Sequence, residues 1–179
     1  WKTASSRVVP KYLEKFVQNL IQNFSPKKII EIASNDGTLI KLLKKKGIEI
    51  IGVEPAKNLH DICKNQNLET INDYFQKDFS KNYPNLKNKY DVLIARNVFA
   101  HTENILEFLN EAENVLTNRG VCILEFHDGG KLLDMLQFDA IYHEHQSYIS
   151  LIALHNIVAK TCFKIASVEE TFVGGSTLL

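Results

Sequence analysis

Apolar residues at Val9, Tyr12, Leu13, Phe16, Val17, Leu20 and Ile21 advance in steps of three and four, the period of a helix with one buried face. Ser5 and Ser6 are candidate N-caps for it, and Ser25-Pro26 breaks it. Lys28 to Ala33 (KIIEIA) changes the pattern: a short β-branched run, expected as a buried strand. Ser34 to Gly37 reads as a turn, and Thr38 to Lys46 as a helix with basic residues in its last turn and Gly47 as its stop. The alternation then repeats. Glu49 to Val53 predicts a second strand, Ala56 to Asn65 a helix, Glu69 to Ile71 a third strand and Tyr90 to Ala95 a fourth. The Asn- and Lys-rich stretch from Lys77 to Lys89 reads as a solvated connection. Thr102 is the expected cap of a helix from Glu103 to Leu116, followed by a fifth strand, Gly120 to Phe126. Ser150 is the expected cap of a helix from Leu151 to Thr161, followed by a sixth strand, Phe163 to Glu170. Ser176 to Leu179 starts another strand just as the chain ends.

Strands alternating with helices predict an α/β fold: a doubly wound, mostly parallel sheet with helices on both faces. The 179 residues, 45% of them hydrophobic, suffice for one such core and exclude a largely disordered chain. Lys and Arg number 21 and Asp and Glu 21, so no net field draws the protein onto nucleic acid. No apolar run approaches the roughly 18 residues of a membrane helix. Cys63, Cys122 and Cys162 are scattered and form no C-x-x-C pair, which supports neither a zinc site nor a disulfide framework and fits a reducing cytoplasm.

Ligands of open α/β sheets sit beyond the carboxyl ends of the strands. There the first strand runs into Glu31-Ile32-Ala33-Ser34-Asn35-Asp36-Gly37, and the second ends in Glu54, placed to accept from ribose hydroxyls. A dinucleotide loop needs several glycines for a pyrophosphate to approach the backbone. This loop has one glycine and adds Asp36, a negative charge where phosphate would lie, which disfavours NAD and ATP. It suits S-adenosylmethionine, which has no phosphate and carries a sulfonium and an ammonium. Glu31 or Asp36 would meet the ammonium, Glu54 the ribose, and Asp73 of Asn72-Asp73-Tyr74 the adenine amino group.

A second constellation is Tyr142-His143-Glu144-His145-Gln146-Ser147-Tyr148, with His101 and His127 upstream. Ionisable residues in a row are costly in a core without a function, and a His beside a Glu can be tuned as a general base. Two other readings are a surface loop, and a metal site built from His127, His143 and His145.

The segments EIASNDGTLIKLLKKKGIEIIGVEPA, INDYF, ARNVFAHTENI, GVCILEF, QFDAIYHEHQSYIS and FVGGS together resemble the sugar C-methyltransferases. These enzymes use S-adenosylmethionine to methylate a carbon of a nucleotide-linked 4-keto-deoxysugar. The resemblance implies a class I, Rossmann-like methyltransferase core over residues 1–179, with 1–24 as a helix leading into it. The family's N-terminal zinc domain and C-terminal domain fall outside these residues, so no bound metal is expected. The resemblance places the cofactor against Glu31, Ser34, Asn35, Asp36 and Gly37, then Glu54 and Pro55, then Asn72, Asp73 and Tyr74, with Asn97. It implies His145 as the base that removes a proton next to a ketone, Glu144 as its orienting or tuning neighbour, and Tyr142 and His101 as donors toward sugar oxygens or the enolate. Tyr142 and His145 can exchange duties in this reading. Ala33 departs from the family, which usually has Gly there. An O- or N-methyltransferase, or a non-catalytic module keeping the fold, are the competing expectations.

Overall fold

The computed structural model describes Thr3, residues 8–171 and residues 177–178. Helix α1 spans Val9–Phe24 and buries Val9, Leu13, Phe16, Val17 and Leu20. Its first turn holds Pro10, whose missing N–H has no partner to lose there. The cap position is Val8, without a side-chain bond; Ser5 and Ser6 lie outside the described residues. Ser25 ends the helix in the left-handed region, its N–H donating to Ile21 O.

The remaining elements are β1 (Lys28–Ile32), α2 (Thr38–Lys45), β2 (Glu49–Val53), α3 (Lys57–Asn65), β3 (Thr70–Ile71), α4 (Phe79–Asn82), β4 (Tyr90–Arg96), α5 (Ile105–Val115), β5 (Leu116–His127), α6 (Gly129–Asp134), α7 (Leu151–Val158), β6 (Glu170–Thr171) and β7 (Thr177–Leu178). The sheet runs in the order β3-β2-β1-β4-β5-β7-β6. Strands β1 to β5 pair in parallel, as expected, while β7 is antiparallel to both β5 and β6. Because β1 lies between β2 and β4, the chain winds outward from the centre in both directions, and a crevice opens at the carboxyl ends of β1 and β4.

The period of two divides each central strand between two cores. Ile30, Ile32, Leu93 and Ala95 face a core closed by Phe108, Leu109, Ala112 and Val115 of α5 and by Leu154 and Val158 of α7. Ile29, Ile50, Val92 and Ile94 face the opposite core, closed by the buried stripes of α1 and α2.

Three expectations need correction, and one element is new. The stretch from Lys77 to Lys89 is not simply a solvated connection. It holds α4 and a 3-10 turn at Pro84–Leu86, with Phe79 and Leu86 buried. Phe75, Phe79 and Tyr83 stack at centroid spacings of 4.8 Å, an i, i+4 pattern masked by the surrounding Lys and Asn. The cap of α5 is Asn104, whose side chain accepts from Glu107 N–H, whereas Thr102 Oγ1 donates back to Val98 O. The sixth strand shrinks to Glu170–Thr171: Phe163 packs half-buried against the core, and residues 164–169 lie exposed with, among the described residues, no strand beside them to complete a ladder. Helix α6 was not anticipated; Asp128 caps it by accepting from Gly130 N–H. Among the described residues, no helix is long and apolar enough to cross a membrane.

Candidate active site

The loop from β1 to α2 turns sharply by taking three residues into the left-handed region: Ala33 (φ 52°), Asn35 (φ 54°) and Gly37 (φ 72°). Gly37 is needed twice over. Its φ favours glycine, and a Cβ would run into Leu68 Cδ1 and come within 3.0 Å of Cys63 Sγ. At Ala33 the same backbone carries a methyl group, a strained arrangement that glycine would relieve.

The end of β2 fixes this loop. Glu54 Oε2 accepts from Asn35 N–H at 2.7 Å and Oε1 from Ala56 N–H at 2.9 Å. Burial raises the Glu54 pKa, and those two N–H groups act against the rise. Each carboxylate oxygen keeps a further lone pair for a ligand. Asp36 is buried and accepts from Thr38 Oγ1 at 2.6 Å, tying the loop to the start of α2. Ser34 is buried with no partner for its Oγ, and a Cβ at Gly52 on β2 would occupy the space of its side chain. Glu31 is also buried, with no partner for Oε2; desolvation foremost, then the neighbouring Asp36 and Glu54, push its pKa up to about 8 against the pull of Arg96.

From the end of β3, Asn72 Nδ2 donates to the carbonyls of Glu54 and Pro55, at 2.8 and 3.0 Å, which holds the two strand ends together. Asp73 accepts from Tyr74 N–H and, at 3.0 Å, from the Tyr83 hydroxyl, leaving the Tyr74 side chain exposed. At the end of β4, Asn97 is left-handed at φ 53° and its N–H donates to Glu125 O at 2.7 Å.

The histidine constellation lies beyond β4 and β5. Gln146 N–H donates to Ala100 O, and Gly129 N–H to Ile149 O, so the segment carrying it is pinned to the turn after β4 and to the start of α6. This brings the His145 ring to 4.0 Å from Tyr142, 4.8 Å from His101, and 5.9 Å from both His127 and Tyr148. His145 Nδ1 lies 2.9 Å from Ala140 O. A carbonyl only accepts, so Nδ1 carries the hydrogen and the neutral ring keeps its lone pair on Nε2. His101 is held likewise, its Nδ1 donating to Glu144 O at 2.8 Å. Burial, and the neighbouring His101 and His127, lower the His145 pKa, while the Ala140 carbonyl and Glu144 counter them. Burial foremost also lowers that of His127, and raises that of Tyr142, which stays a neutral donor at neutral pH. Glu144 and His143 are exposed, so the orienting acceptor of His145 is a backbone carbonyl rather than the Glu144 carboxylate. Among the described residues, no group of three or more His, Cys, Asp or Glu is arranged to hold a metal ion.

Sequence reasoning passed over several contributors. Arg96 and Glu125 form a buried ion pair beside the crevice. The available signal was a charge at the end of each of two apolar strands, YDVLIAR and GVCILEF. Tyr148 sits within the histidine motif itself, and Gly52 and Gly129 give room for close packing that no motif announces.

A family profile described as a methyltransferase domain matches residues 6–168. The C-methyltransferase NovU of Streptomyces niveus is 29% identical over 151 residues, which cover 84% of this chain and 36% of that protein, so the chain spans about a third of this relative's length. Among solved structures, the PH0226 protein of Pyrococcus horikoshii OT3 superposes with a TM-score of 0.77 at 19% identity, covering 99% of this chain and 92% of that one. A SAM-dependent methyltransferase of Archaeoglobus fulgidus superposes with a TM-score of 0.71 at 16% identity, covering 90% and 72%. The plantazolicin methyltransferase BpumL, solved with SAH, superposes with a TM-score of 0.68 at 17% identity, covering 94% and 72%. The sheet order, the loop joining β1 to α2 and the extent of the family match lead to one conclusion: the chain belongs to the methyltransferase domain family and has the class I, Rossmann-like fold of the S-adenosylmethionine-dependent enzymes.

Proposed function

We propose that residues 1–179 form the cofactor-binding core of a C-methyltransferase acting on the carbon next to the ketone of a nucleotide-linked 4-keto-deoxysugar. The observation that carries this reading is His145. Its Nδ1 is committed to Ala140 O, its lowered pKa keeps it neutral near pH 7, and its Nε2 lone pair belongs to a ring packed against Tyr142 and His101. A built base of this kind is what carbon methylation needs, because the carbon must lose a proton before it becomes a nucleophile. The likeness to NovU, a C-methyltransferase, supports the same choice.

The crevice fits S-adenosylmethionine. Two buried polar atoms, Glu31 Oε2 and Ser34 Oγ, have no partner among the described residues, and acidic groups rather than a phosphate-binding nest surround them. Glu31 or Asp36 would hold the ammonium, Glu54 the ribose hydroxyls and Asp73 the adenine amino group, with Ser34, Asn35, Gly37, Pro55, Asn72, Tyr74 and Asn97 shaping the walls. When bound, the cofactor supplies an electrophilic methyl group. On the substrate side, His145 Nε2 takes the proton from carbon. Tyr142 donates from its hydroxyl toward the carbonyl oxygen, where charge develops. His101, with its hydrogen on Nδ1, donates from Nε2 only as the imidazolium.

In the complete protein, solvent deuterium should enter the sugar carbon in the presence of S-adenosylhomocysteine, which has no methyl to give. His145→Ala should lose exchange and methylation together, by about a hundred- to ten-thousandfold. Methylation of an oxygen or nitrogen without exchange at carbon would replace this reading with an O- or N-methyltransferase.

A further inference from the structure

Three ionisable side chains form a row across the carboxyl ends of adjacent strands: Glu31 of β1, Arg96 of β4 and Glu125 of β5. Each is two residues beyond an apolar member of the core under α1, namely Ile29, Ile94 and Ile123, so all three face that helix. Arg96 Nε donates to Glu125 Oε2, and the guanidinium lies 5.3 Å from the centroid of the Tyr12 ring and 5.9 Å from that of Phe16. Among the described residues Glu125, fully buried beside the Tyr12 hydroxyl, has no hydrogen-bond partner for Oε1, and Glu31, 5% exposed, has none for Oε2. One guanidinium thus pairs with Glu125 and acts electrostatically on the buried carboxyl group of Glu31. Asp36 from the loop and Glu54 just after β2 add negative charge on the crevice side, and among the described residues the Cys63 thiol of α3 is a further titratable neighbour of Glu31. His60 bears on Glu54 rather than on Glu31. A site with this excess of buried acid holds a proton until a cation arrives.

We propose that binding of the cofactor's amino-acid end expels the proton held by Glu31, and that Arg96, fixed by Glu125 and roofed by Tyr12 and Phe16, is the positioning residue that sets how readily that proton leaves. The proposal rests on the reading that Glu31 meets the ligand's ammonium. The carboxyl O–H bond breaks, the proton passes to solvent buffer, and an ammonium N–H then donates to the carboxylate. Its positive charge completes a row that has one cation for two acids. The raised pKa of Glu31, about 8, places the transition where binding can be measured. Below that pH the ligand must work against the proton, so affinity falls by up to about tenfold per pH unit.

The test is calorimetry with S-adenosylhomocysteine from pH 6 to 8.5, in paired buffers of different ionisation heat. A parallel series uses 5′-methylthioadenosine, which keeps the nucleoside and sulfur but has no amino-acid end. S-adenosylhomocysteine should release about half to one proton near pH 7 and bind roughly ten- to a hundredfold more weakly at pH 6 than at pH 8. Methylthioadenosine should release none. Glu31→Gln should abolish both the release and the pH dependence. Arg96→Met should move the transition to higher pH, and Arg96→Lys, which keeps the charge, should leave it near the wild-type value. Carboxyl-carbon NMR of the unsubstituted protein reads the same titration without relying on any variant's folding. Binding of S-adenosylhomocysteine with constant affinity and no proton release overturns the proposal while leaving the cofactor reading in place. Equal release with methylthioadenosine assigns the proton elsewhere and also overturns it. No binding of S-adenosylhomocysteine at any pH overturns the cofactor reading itself.

Discussion

Glu54 holds the cofactor loop before any ligand arrives, because it accepts from the N–H groups of both Asn35 and Ala56. Its substitution by Ala should therefore act twice. Each lost bond to the carboxylate is worth about 1.5–3 kcal/mol, so affinity for S-adenosylhomocysteine should drop by about ten- to a hundredfold or more in calorimetry, with a lower midpoint in urea. A drop in affinity at unchanged stability would assign Glu54 to the ligand alone. Ala33 and Gly37 form a second pair at this scale. Both are left-handed, and at Gly37 the side chains of Leu68 and Cys63 also crowd the place a Cβ would take. Ala33→Gly should leave stability unchanged or raise it by up to about 1 kcal/mol, relief of strain being offset by a freer unfolded chain. Gly37→Ala should cost more than strain alone, and equilibrium unfolding in urea separates the two. The glycine-poor loop and its acidic residues were legible in the sequence, and with them the expectation of a phosphate-free ligand. The strain at Ala33 was not, because φ is set by the path the loop takes between β1 and α2.

At the scale of elements, the segment carrying Tyr142 to Tyr148 owes its position to contacts with α6 and with the turn after β4. A Cβ on Gly129 would lie 2.9 Å from Tyr148 C and 3.1 Å from Ile149 N, both backbone atoms that cannot swing aside. Gly129→Ala should push this segment off the β5 end. Turnover should then fall by tenfold or more, a 1 Å misplacement being costly, while cofactor affinity holds. Kinetics beside calorimetry would show this split; parallel losses would mean that the whole crevice had moved. The pH profile belongs here too, since His145 draws its environment from three elements. Its lowered pKa keeps the neutral, proton-accepting form present down to about pH 6.5 and below, so the acid limb of kcat/KM in the complete protein should lie below the ordinary histidine value. A limb above pH 7 would exclude His145 as the base. Most strands and helices were readable within a residue or two, β2 over Glu49–Val53 without change. The failures were α4, whose aromatic spacing is hidden in polar composition, the short helix α6, the start of β5 at Leu116 rather than Gly120, and the sixth strand, which needs a neighbour to exist.

For the whole molecule, burying Glu31 costs stability at high pH. The protonated form is neutral in the folded and unfolded states, whereas the ionised form is penalised only when folded. Stability contributed by this group is therefore present below its unfolded pKa near 4.5 and lost as pH rises to about 8. Glu31→Gln should unfold at higher urea than the parent at pH 8.5, by an amount of order a few kcal/mol, and the gap should close at pH 5. An equal gap at both pH values would mean that packing, not charge, distinguishes the variant. The amino-acid sequence by itself determined the alternation of strands and helices, the parallel core and the cofactor end of the sheet, because periodicity and turn residues act locally. It also singled out Tyr142 to His145 as candidates for chemistry, because charged and aromatic residues cluster there within a few positions. Only the tertiary structure decided that His145 is oriented by Ala140 O rather than by Glu144, that Asn104 rather than Thr102 caps α5, and that β7 runs antiparallel between β5 and β6. It alone gathered Glu31, Arg96 and Glu125 from three strands into one row. Such pairings join residues far apart in the chain, and their energies come from burial and mutual distance, which exist only once the sheet has assembled.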